Sequence, residues 1–255
     1  MSAMHPVLLA SQGLGHAFGG LKVLRDVSFQ VPQGSITGLI GPNGSGKTTC
    51  FNILSGYLRP ATGTVQFAGE DITGASVRQR ALRGMVRTFQ APQVFRQLTV
   101  LENLMVGGYR HVRSGPLADM LRLAACRRDL DRLEADGRAM ARRFGLTPLL
   151  DRPAGTLPAG QMRMVELARA CVGQPRLLML DEPSSGLSAP EIDTLREWIV
   201  QLNAEGMTIL LVSHDMGLMT VAHEVNVLYF GDIIATGDMA DIQANPRVRD
   251  AYLGA

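Results

Sequence analysis

The chain has 255 residues, of which 46% are hydrophobic and 19% charged, a balance typical of a folded globular protein rather than a disordered one. Its formal net charge of +2 at pH 7 is too small for the broad basic surface of a dedicated nucleic-acid-binding protein. We therefore expect no nucleic-acid partner.

The first third of the chain predicts strands around a glycine-rich loop. Residues 7–31 alternate between apolar and polar side chains near glycine-rich turns, as edge strands and hairpins do. The stretch SITGLIGPNGSGKTTCFNILSG then predicts a buried strand, a glycine loop and a helix that ends at Gly56. A second set of short strands follows in GTVQFAGEDI.

The middle of the chain predicts helices. Thr99 and Glu102 have the spacing of a capping box that opens a helix. Residues 117–144 carry Leu and Met at helical spacing, and residues 159–172 predict a further helix closed by Gly173. We expect roughly residues 91–172 to be a helical subdomain inserted into a single domain that spans residues 1–255.

The last third alternates strands with helices. RLLMLDEP is an apolar run that ends in two carboxylates, which is typical of a parallel strand covered on both faces. Ser188 and Glu191 form another capping box, of a helix that stops at Gly206. MTILLVSHD predicts a buried strand, and VNVLYFGDIIATG predicts a hairpin across Gly231-Asp232. This alternation predicts an α/β fold.

Cysteine spacing and apolar run length bear on the compartment. Cys50, Cys126 and Cys171 follow no metal-binding spacing, which indicates small buried residues in a reducing compartment. The N-terminus lacks the features of a signal peptide, and the apolar runs are far shorter than the ~20 residues that span a bilayer. Any role at a membrane is therefore expected to depend on a partner.

Residues 41–49 fit the phosphate-loop pattern G-x-x-x-x-G-K-[ST] between a predicted strand and a predicted helix. Backbone N–H groups in such a loop surround phosphate oxygens, and the helix N-terminus favours negative charge. We expect Lys47 to reach the outer phosphates and the Thr48 hydroxyl to bind Mg²⁺. The alternative, a plain glycine turn before a helix, is disfavoured by the flanking elements. The predicted nucleotide-binding residues here are Gly41, Pro42, Asn43, Gly44, Ser45, Gly46, Lys47, Thr48 and Thr49.

Two adjacent carboxylates follow the apolar strand. Of Asp181 and Glu182, one has the chemistry to hold a metal ion, often through water, and its neighbour to orient an attacking water. The alternative is an acidic strand end in a solvated loop. The phosphate loop upstream favours the site.

The stretch LPAGQMRMVELARA, followed by LLMLDEPSSGLS and LLVSHD, resembles the ATP-binding subunits of ABC transporters over essentially the whole chain. The resemblance implies a P-loop NTPase (RecA-like) core with an antiparallel β subdomain and an inserted α-helical subdomain. It implies hydrolysis of ATP with Mg²⁺ by two subunits, the same or homologous, in a head-to-tail dimer. Each ATP then lies between one phosphate loop and the signature helix end of the facing subunit, here Leu157, Pro158, Ala159, Gly160 and Gln161.

The same resemblance implies roles for three further residues. Phe18 matches the aromatic residue that stacks on adenine, Gln90 the glutamine that senses Mg²⁺ and water, and His214 the switch histidine at the γ-phosphate. With Glu182, Gln90 and His214 form the catalytic set, and Thr48, Gln90 and Asp181 the metal set. The alternatives are that Phe18 is a hydrophobic hairpin residue, Gln90 a solvated loop residue and His214 an ordinary surface histidine.

The signature departs from the usual LSGGQ at two places, one of which removes a hydroxyl. Pro158 stands where the family has serine, and losing one hydrogen bond to a charged group costs on the order of 1.5 to 3 kcal/mol. Proline suits the start of a helix. We therefore expect the helix end to persist while its contact with the facing subunit's nucleotide weakens.

PQVFRQLTVLENLMVG, the Arg-rich extension after it and the terminal AYLG look like importer ATPases for branched-chain amino acids and related polar solutes. This implies integral-membrane permease subunits, an extracytoplasmic solute-binding protein as an indirect partner, and a peripheral location at the cytoplasmic face of the inner membrane. Two alternatives stay open: a urea or amide importer ATPase, and a soluble ABC-type ATPase not coupled to transport.

Overall fold

A computed structural model describes residues 6–111 and 124–253, except the side chains of residues 111, 124–126 and 253. It divides into two compact units, one of Met1–Arg87 with Arg176–Ala255 and one of Thr88–Pro175. That they form a single domain stays a prediction. The start of the helix predicted over residues 117–144 and the side chain of Cys126 lie outside the described residues.

The first unit is built on a ten-stranded sheet. Its strands are β1 (Val7–Phe18), β2 (Leu21–Pro32), β3 (Ile36–Ile40), β4 (Thr62–Phe67), β5 (Glu70–Asp71), β6 (Met85–Arg87), β7 (Leu177–Asp181), β8 (Thr208–Val212), β9 (Glu224–Tyr229) and β10 (Asp232–Gly237). They are ordered β5-β4-β1-β2-β10-β9-β3-β8-β7-β6. The antiparallel pairs are β1 with β2, β1 with β4, β4 with β5 and β9 with β10, whereas β2 with β10, β3 with β8, β3 with β9, β6 with β7 and β7 with β8 pair parallel. The predicted α/β class with an antiparallel β part is confirmed.

The helices of the described residues, numbered in chain order, are found in both units. They are α1 (Lys47–Ser55), α2 (Val77–Leu82), α3 (Val100–Gly107), α4 (Ala124–Arg143), α5 (Ala159–Val172), α6 (Ala189–Ala204), α7 (Met216–Met219), α8 (Met239–Ala244) and α9 (Pro246–Leu253). Short 3₁₀ turns lie at Tyr109–His111, Thr147–Leu149 and Ala154–Thr156.

Burial of the central strands explains why their sequences do not alternate. Every residue of β3, β7 and β8 is buried, so ITGLI, LLMLD and TILLV are continuous apolar runs apart from a few small or terminal polar residues. Phe51 and Leu54 of α1 are fully buried in the same core as Leu39 and Met179. Because the carboxyl ends of parallel strands share one edge of the sheet, the loops after β3, β7 and β8 emerge together.

The hairpin between β9 and β10 turns one residue earlier than predicted. Phe230 and Gly231 form the turn, and Asp232 is already the first residue of β10. Both turn residues have positive φ, 43° for Phe230 and 84° for Gly231, as a type I′ hairpin turn requires. An aromatic residue rarely adopts this conformation, so the sequence offered no sign of it.

Helices α3, α4 and α5 pack against one another in the second unit. The close approach of α3 to α5 requires glycine, because a Cβ on Gly107 would lie 2.1 Å from the carbonyl oxygen of Arg169. The capping box at the start of α3 is confirmed, with Thr99 N–H donating to Glu102 Oε2 over 2.7 Å. Helix α5 has the predicted bounds.

Candidate functional site

The phosphate-loop sequence runs from the end of β3 into α1, and its glycines are sterically required. A Cβ on Gly41 would lie 2.1 Å from the carbonyl oxygen of Leu228, and one on Gly46 would lie 2.7 Å from Leu24 Cδ2. Gly46 also has φ 107°, which L side chains rarely adopt. The loop is therefore held tightly against β2 and β9.

Lys47 folds its ammonium group over this loop. Nζ donates to the carbonyl oxygens of Gly41 (2.6 Å) and Pro42 (3.1 Å), and the side chain is buried. Burial lowers the pKa of Lys47, and the nearby charges of Glu182 and Asp181 oppose that shift. The fold thus brings the phosphate loop and both predicted carboxylates together.

Two hydroxyls of the loop differ in their surroundings. Ser45 Oγ is buried and has no hydrogen-bond partner among the described residues. Thr48, in the first turn of α1, is exposed. Asn43 and Gly44 are exposed as well, so the outer side of the loop is open to a ligand.

Asp181, the last residue of β7, is paired with a largely buried arginine side chain. Arg87 Nη2 lies 2.7 Å from Asp181 Oδ2, and both side chains are at most 10% exposed. Arg87 Nη1 donates to Asn52 Oδ1 (2.6 Å) and Ser55 Oγ (2.9 Å), and its guanidinium carbon lies 4.8 Å from the centre of the Phe51 ring. The arginine therefore links the predicted metal carboxylate to the helix that follows the phosphate loop.

Glu182 and His214, predicted from separate motifs, are in contact. Glu182 Oε2 lies 2.7 Å from His214 Nδ1 and accepts a hydrogen bond from the His214 backbone N–H over 3.2 Å. The Glu182 side chain is 14% exposed, whereas that of His214 is 66% exposed. A carboxylate in this position is able to orient a water and to fix the imidazole.

Tyr252 of α9 reaches the same place from the end of the chain. Burial raises the pKa of its phenol to about 12, the Gly41 backbone amide opposes that shift, and the charge of Glu182 adds to it. Helix α9 therefore brings a phenol beside the first glycine of the loop.

Phe18 lies at the end of β1 and is 52% exposed. Its ring packs edge-on against His16, with the ring centres 4.7 Å apart. An exposed aromatic face suits stacking on a base.

Gln90 and the residues from Leu157 to Gln161 belong to the second compact unit. Gln90 is exposed in a segment without helix or strand. Pro158 is the N-cap of α5 and provides no side-chain acceptor, so the first N–H groups of the helix donate no hydrogen bond to its side chain. Pro158, Ala159 and Gln161 are exposed, whereas Leu157 and Gly160 are buried.

Comparison with known proteins decides the family. The model of the ABC transporter family matches residues 24–185, and a model of the branched-chain amino acid ATP-binding cassette transporter matches residues 233–255. The chain belongs to the ABC transporter family. As an ABC cassette it is an ATPase whose hydrolysis of ATP powers transport.

Curated relatives match this ABC cassette over nearly its whole length. It is 39% identical to the high-affinity branched-chain amino acid transport ATP-binding protein BraF of Pseudomonas aeruginosa, over 98% of both chains. It is 40% identical to the corresponding protein LivG of Salmonella typhimurium, over 98% of this chain and 99% of that one.

Solved structures agree with the fold of the cassette. Two are ATP-binding cassettes of an ABC transporter, one nucleotide-free and one in its ADP conformation. Each has a TM-score of 0.83 and 32% identity, covering 98% of this chain and 100% of the solved one. The P-loop NTPase fold and nucleotide binding are thereby established for this chain.

The residues of the cassette fit a nucleotide phosphate and a shared metal ion. The partnerless Ser45 hydroxyl and the Lys47 ammonium are donors suited to phosphate oxygens. The described residues contain no group of three or more His, Cys, Asp or Glu that could hold a metal ion by themselves. Mg²⁺ commonly takes one or two carboxylates together with substrate phosphates, which is compatible with the single Asp181 and the Thr48 hydroxyl.

No helix within residues 6–111 and 124–253 is long and apolar enough to cross a membrane. Cys50 and Cys171 are buried, as predicted, and burial raises the pKa of Cys50 to about 12. No motif pointed to Arg87 or Tyr252 as parts of the site. Their only local sign is that Arg87 precedes Gln90 in RTFQ and Tyr252 lies in the terminal AYLG.

Proposed function

We propose that the chain is the ATP-hydrolysing subunit of an ABC importer for branched-chain amino acids. The observation that carries the solute class is the near full-length similarity to BraF and LivG, whose names state that transport. The match of residues 233–255 to the branched-chain amino acid cassette model adds to it. A urea or amide importer would share the cassette and differ in its binding protein.

The phosphate loop is the proposed ATP site. Backbone amides of Gly41 to Thr49 surround the phosphates, and Lys47 releases its two loop carbonyls to bind the outer phosphate oxygens. The Ser45 hydroxyl supplies a further donor. The exposed ring of Phe18 stacks on adenine, a contact worth about 1 to 3 kcal/mol.

Glu182 is the proposed residue that orients the attacking water. Its carboxylate accepts hydrogen bonds from the water and from His214, so the water oxygen is directed at the γ-phosphorus. The His214 ring is largely exposed and contacts the γ-phosphate while Glu182 fixes its orientation. In this role His214 stabilises the charge that develops on the transferred phosphoryl group.

Thr48, Asp181 and Gln90 are the proposed residues for Mg²⁺. When bound, the ion neutralises charge on the β- and γ-phosphate oxygens. Asp181 contributes a carboxylate oxygen, while Arg87 engages Oδ2.

A second ATP-binding subunit, the same or homologous, is the proposed partner in a head-to-tail dimer. The uncapped amides at the start of α5, with Leu157 to Gln161, bind the nucleotide of the facing subunit. The dimer works with integral-membrane permease subunits and, through them, with an extracytoplasmic solute-binding protein. The cassette is therefore placed at the cytoplasmic face of the inner membrane.

Reconstitution tests this function directly. The chain is co-purified with its permeases, placed in liposomes with the solute-binding protein, and assayed for ATP hydrolysis with leucine, isoleucine, valine, urea or no solute. We expect stimulation by the branched-chain amino acids and no hydrolysis above background in a Lys47→Ala variant. Stimulation by urea alone would assign the other importer class, and absence of any membrane partner would contradict a transport function.

A further inference from the structure

A buried ion pair in α5 is not used by the proposed function. Arg163 Nη1 lies 2.7 Å from Glu166 Oε2, and each side chain is 2% exposed. Both residues belong to the helix that begins with the signature residues.

The pair holds the backbone around Gln90. The guanidinium group of Arg163 donates to the carbonyl oxygen of Phe89 over 2.7 Å and also to that of Gln90. Glu166 Oε1 accepts hydrogen bonds from the N–H groups of Gln93 (3.1 Å) and Phe89 (3.4 Å). Backbone donors and acceptors on both sides of Gln90 are thus satisfied by one pair of side chains.

Arg169, about one turn of α5 beyond Glu166, makes a similar contact. Its guanidinium group donates to the carbonyl oxygen of Gln93 and lies 5.2 Å from the centre of the Phe95 ring. The segment around Gln90 has no helix or strand of its own, so its polar backbone groups depend on such partners.

Stability alone is a weak reason for this arrangement. Replacing a buried ion pair by apolar side chains of similar volume is often neutral or stabilising. The planar fork of Arg163, by contrast, fixes two successive carbonyl groups at a defined distance and angle, which an apolar pair does not do.

We propose that Arg163 and Glu166 are positioning residues that fix Gln90 in register with the signature end of α5. This rests on the proposed function, in which Gln90 and the signature both act on nucleotide. The exposed Gln90 side chain then keeps one orientation because its own carbonyl group is anchored. Without the anchor, ATP still binds the phosphate loop, but Gln90 reaches its working position only part of the time.

The test uses the assembled transporter with Arg163→Lys and Glu166→Gln. Lysine keeps the charge but lacks the fork, and glutamine keeps the acceptor oxygen but removes the ion pair. The matched controls are Arg138→Lys and Glu134→Gln, which alter an exposed pair on α4 with Nε and Oε1 2.8 Å apart. We expect kcat for ATP hydrolysis to fall at least about tenfold, as small misplacements of active groups do, with ATP KM nearly unchanged and no effect in the controls.

Two further variants separate positioning from folding. Arg163→Met with Glu166→Leu replaces the ion pair by apolar side chains, so the helix stays packed while the anchor is lost. We expect it to have a low kcat as well. When Gln90→Ala is already present, adding Arg163→Lys should lower kcat only slightly further, because both changes remove the same contribution of Gln90.

Hydrogen exchange gives a readout independent of turnover. Peptides covering residues 89–93 should exchange faster in the Arg163→Lys and Met/Leu variants than in the controls. Unchanged kcat in the folded variants, or additive losses with Gln90→Ala, would overturn the positioning role. If the Lys47→Ala variant instead hydrolyses ATP at the wild-type rate, the proposed ATP site is overturned. The hydrogen-exchange test of how Arg163 holds residues 89–93 would still apply.

Discussion

Glu182 is held in a backbone conformation that non-glycine residues seldom adopt. Its φ is 45°, a conformation that costs of order 1–3 kcal/mol and persists only where the surrounding structure holds it. Here the Glu182 N–H donates to the carbonyl oxygen of Val212 over 2.8 Å, and its carboxylate contacts His214. The turn after β7 therefore points the carboxylate at the loop after β8.

Replacing Glu182 by Gln is expected to stop turnover without preventing ATP binding. Glutamine keeps an acceptor for the His214 N–H but loses the charge that orients and polarises water, so kcat should fall by about 10²–10⁴. ATP affinity is measured by titration, and the dimer, which should persist longer, by size-exclusion chromatography with ATP. Glu197→Gln, at an exposed position of α6, is the control. Near-normal hydrolysis would remove Glu182 from this role.

Replacing Arg87 by Met is expected to destabilise the first unit. It leaves Asp181 as a buried carboxylate without its partner, which typically costs about 3–5 kcal/mol. Urea unfolding measures the change. The control, Arg25→Met, breaks an exposed pair with Asp232 in which the side chains are 57% and 41% exposed, and should change the unfolding free energy by less than about 1 kcal/mol. Equal losses in the two variants would argue against the buried link.

At the scale of elements, three described helices begin with a capping box, and in two of them the side chain that closes the box is a glutamate. In α3 and α6, Thr99 and Ser188 donate to the carboxylates of Glu102 and Glu191, over 2.7–2.9 Å. Hydrogen bonds from the backbone and hydroxyl of Thr99 lower the pKa of Glu102, and those from the hydroxyl and backbone of Ser188 lower the pKa of Glu191. Each box thus favours the ionised carboxylate.

The capping boxes predict a pH dependence of stability. Because both pKa values are lower in the folded chain than the ordinary 4.5, the unfolded chain binds more protons on acidification. The stabilisation is complete above pH 4.5 and is lost as the pH falls through the folded pKa values. Urea unfolding measured from pH 6 to pH 3 should show that the free energy of unfolding falls less steeply in the double variant Glu102→Gln, Glu191→Gln than in the wild type. Equal falls of the two unfolding free energies with pH would contradict this.

Elements determined by residues near one another in the sequence were predicted correctly, whereas those determined by contacts between distant residues were not. The phosphate loop, the capping boxes of α3 and α6 and the bounds of α5 follow from residues close together in the chain. The turn at Phe230 was misplaced, because its positive φ follows from packing around Gly231, where a Cβ would lie 2.6 Å from the carbonyl oxygen of Val23.

The candidate site shows the same division. Asp181, Glu182 and Lys47 were predicted from motifs, and the fold brings them together. Arg87 pairs with Asp181 across 94 positions of sequence, and Arg163 contacts Phe89 across 74. With 25 Lys and Arg residues in the chain, nothing local distinguishes these two arginines from solvated ones.

At the scale of the whole molecule, the predicted site residues are divided between the two compact units. Lys47, Asp181 and Glu182 belong to the first unit, whereas Gln90 and the signature belong to the second. Under the proposed function, the signature acts on the nucleotide of the facing subunit.

Pro158→Ser is expected to strengthen nucleotide binding in the assembled transporter. Serine at the N-cap restores a hydroxyl able to bind the facing subunit's phosphate, worth about 1.5 to 3 kcal/mol, or roughly 10- to 100-fold in affinity. ATP affinity and turnover are compared with those of Pro158→Ala, which removes proline without adding a hydroxyl. No difference between the two variants would count against the contact.

The ammonium group folded over the phosphate loop has a practical consequence, because Lys22 and Lys47 are the only lysines in the chain. Lys22 is exposed and open to acylating reagents, whereas Lys47 is buried and engaged by two carbonyl oxygens. Mass spectrometry after brief acylation therefore has a built-in reference amine, and the labelling of Lys47 relative to Lys22 reports how often the loop opens.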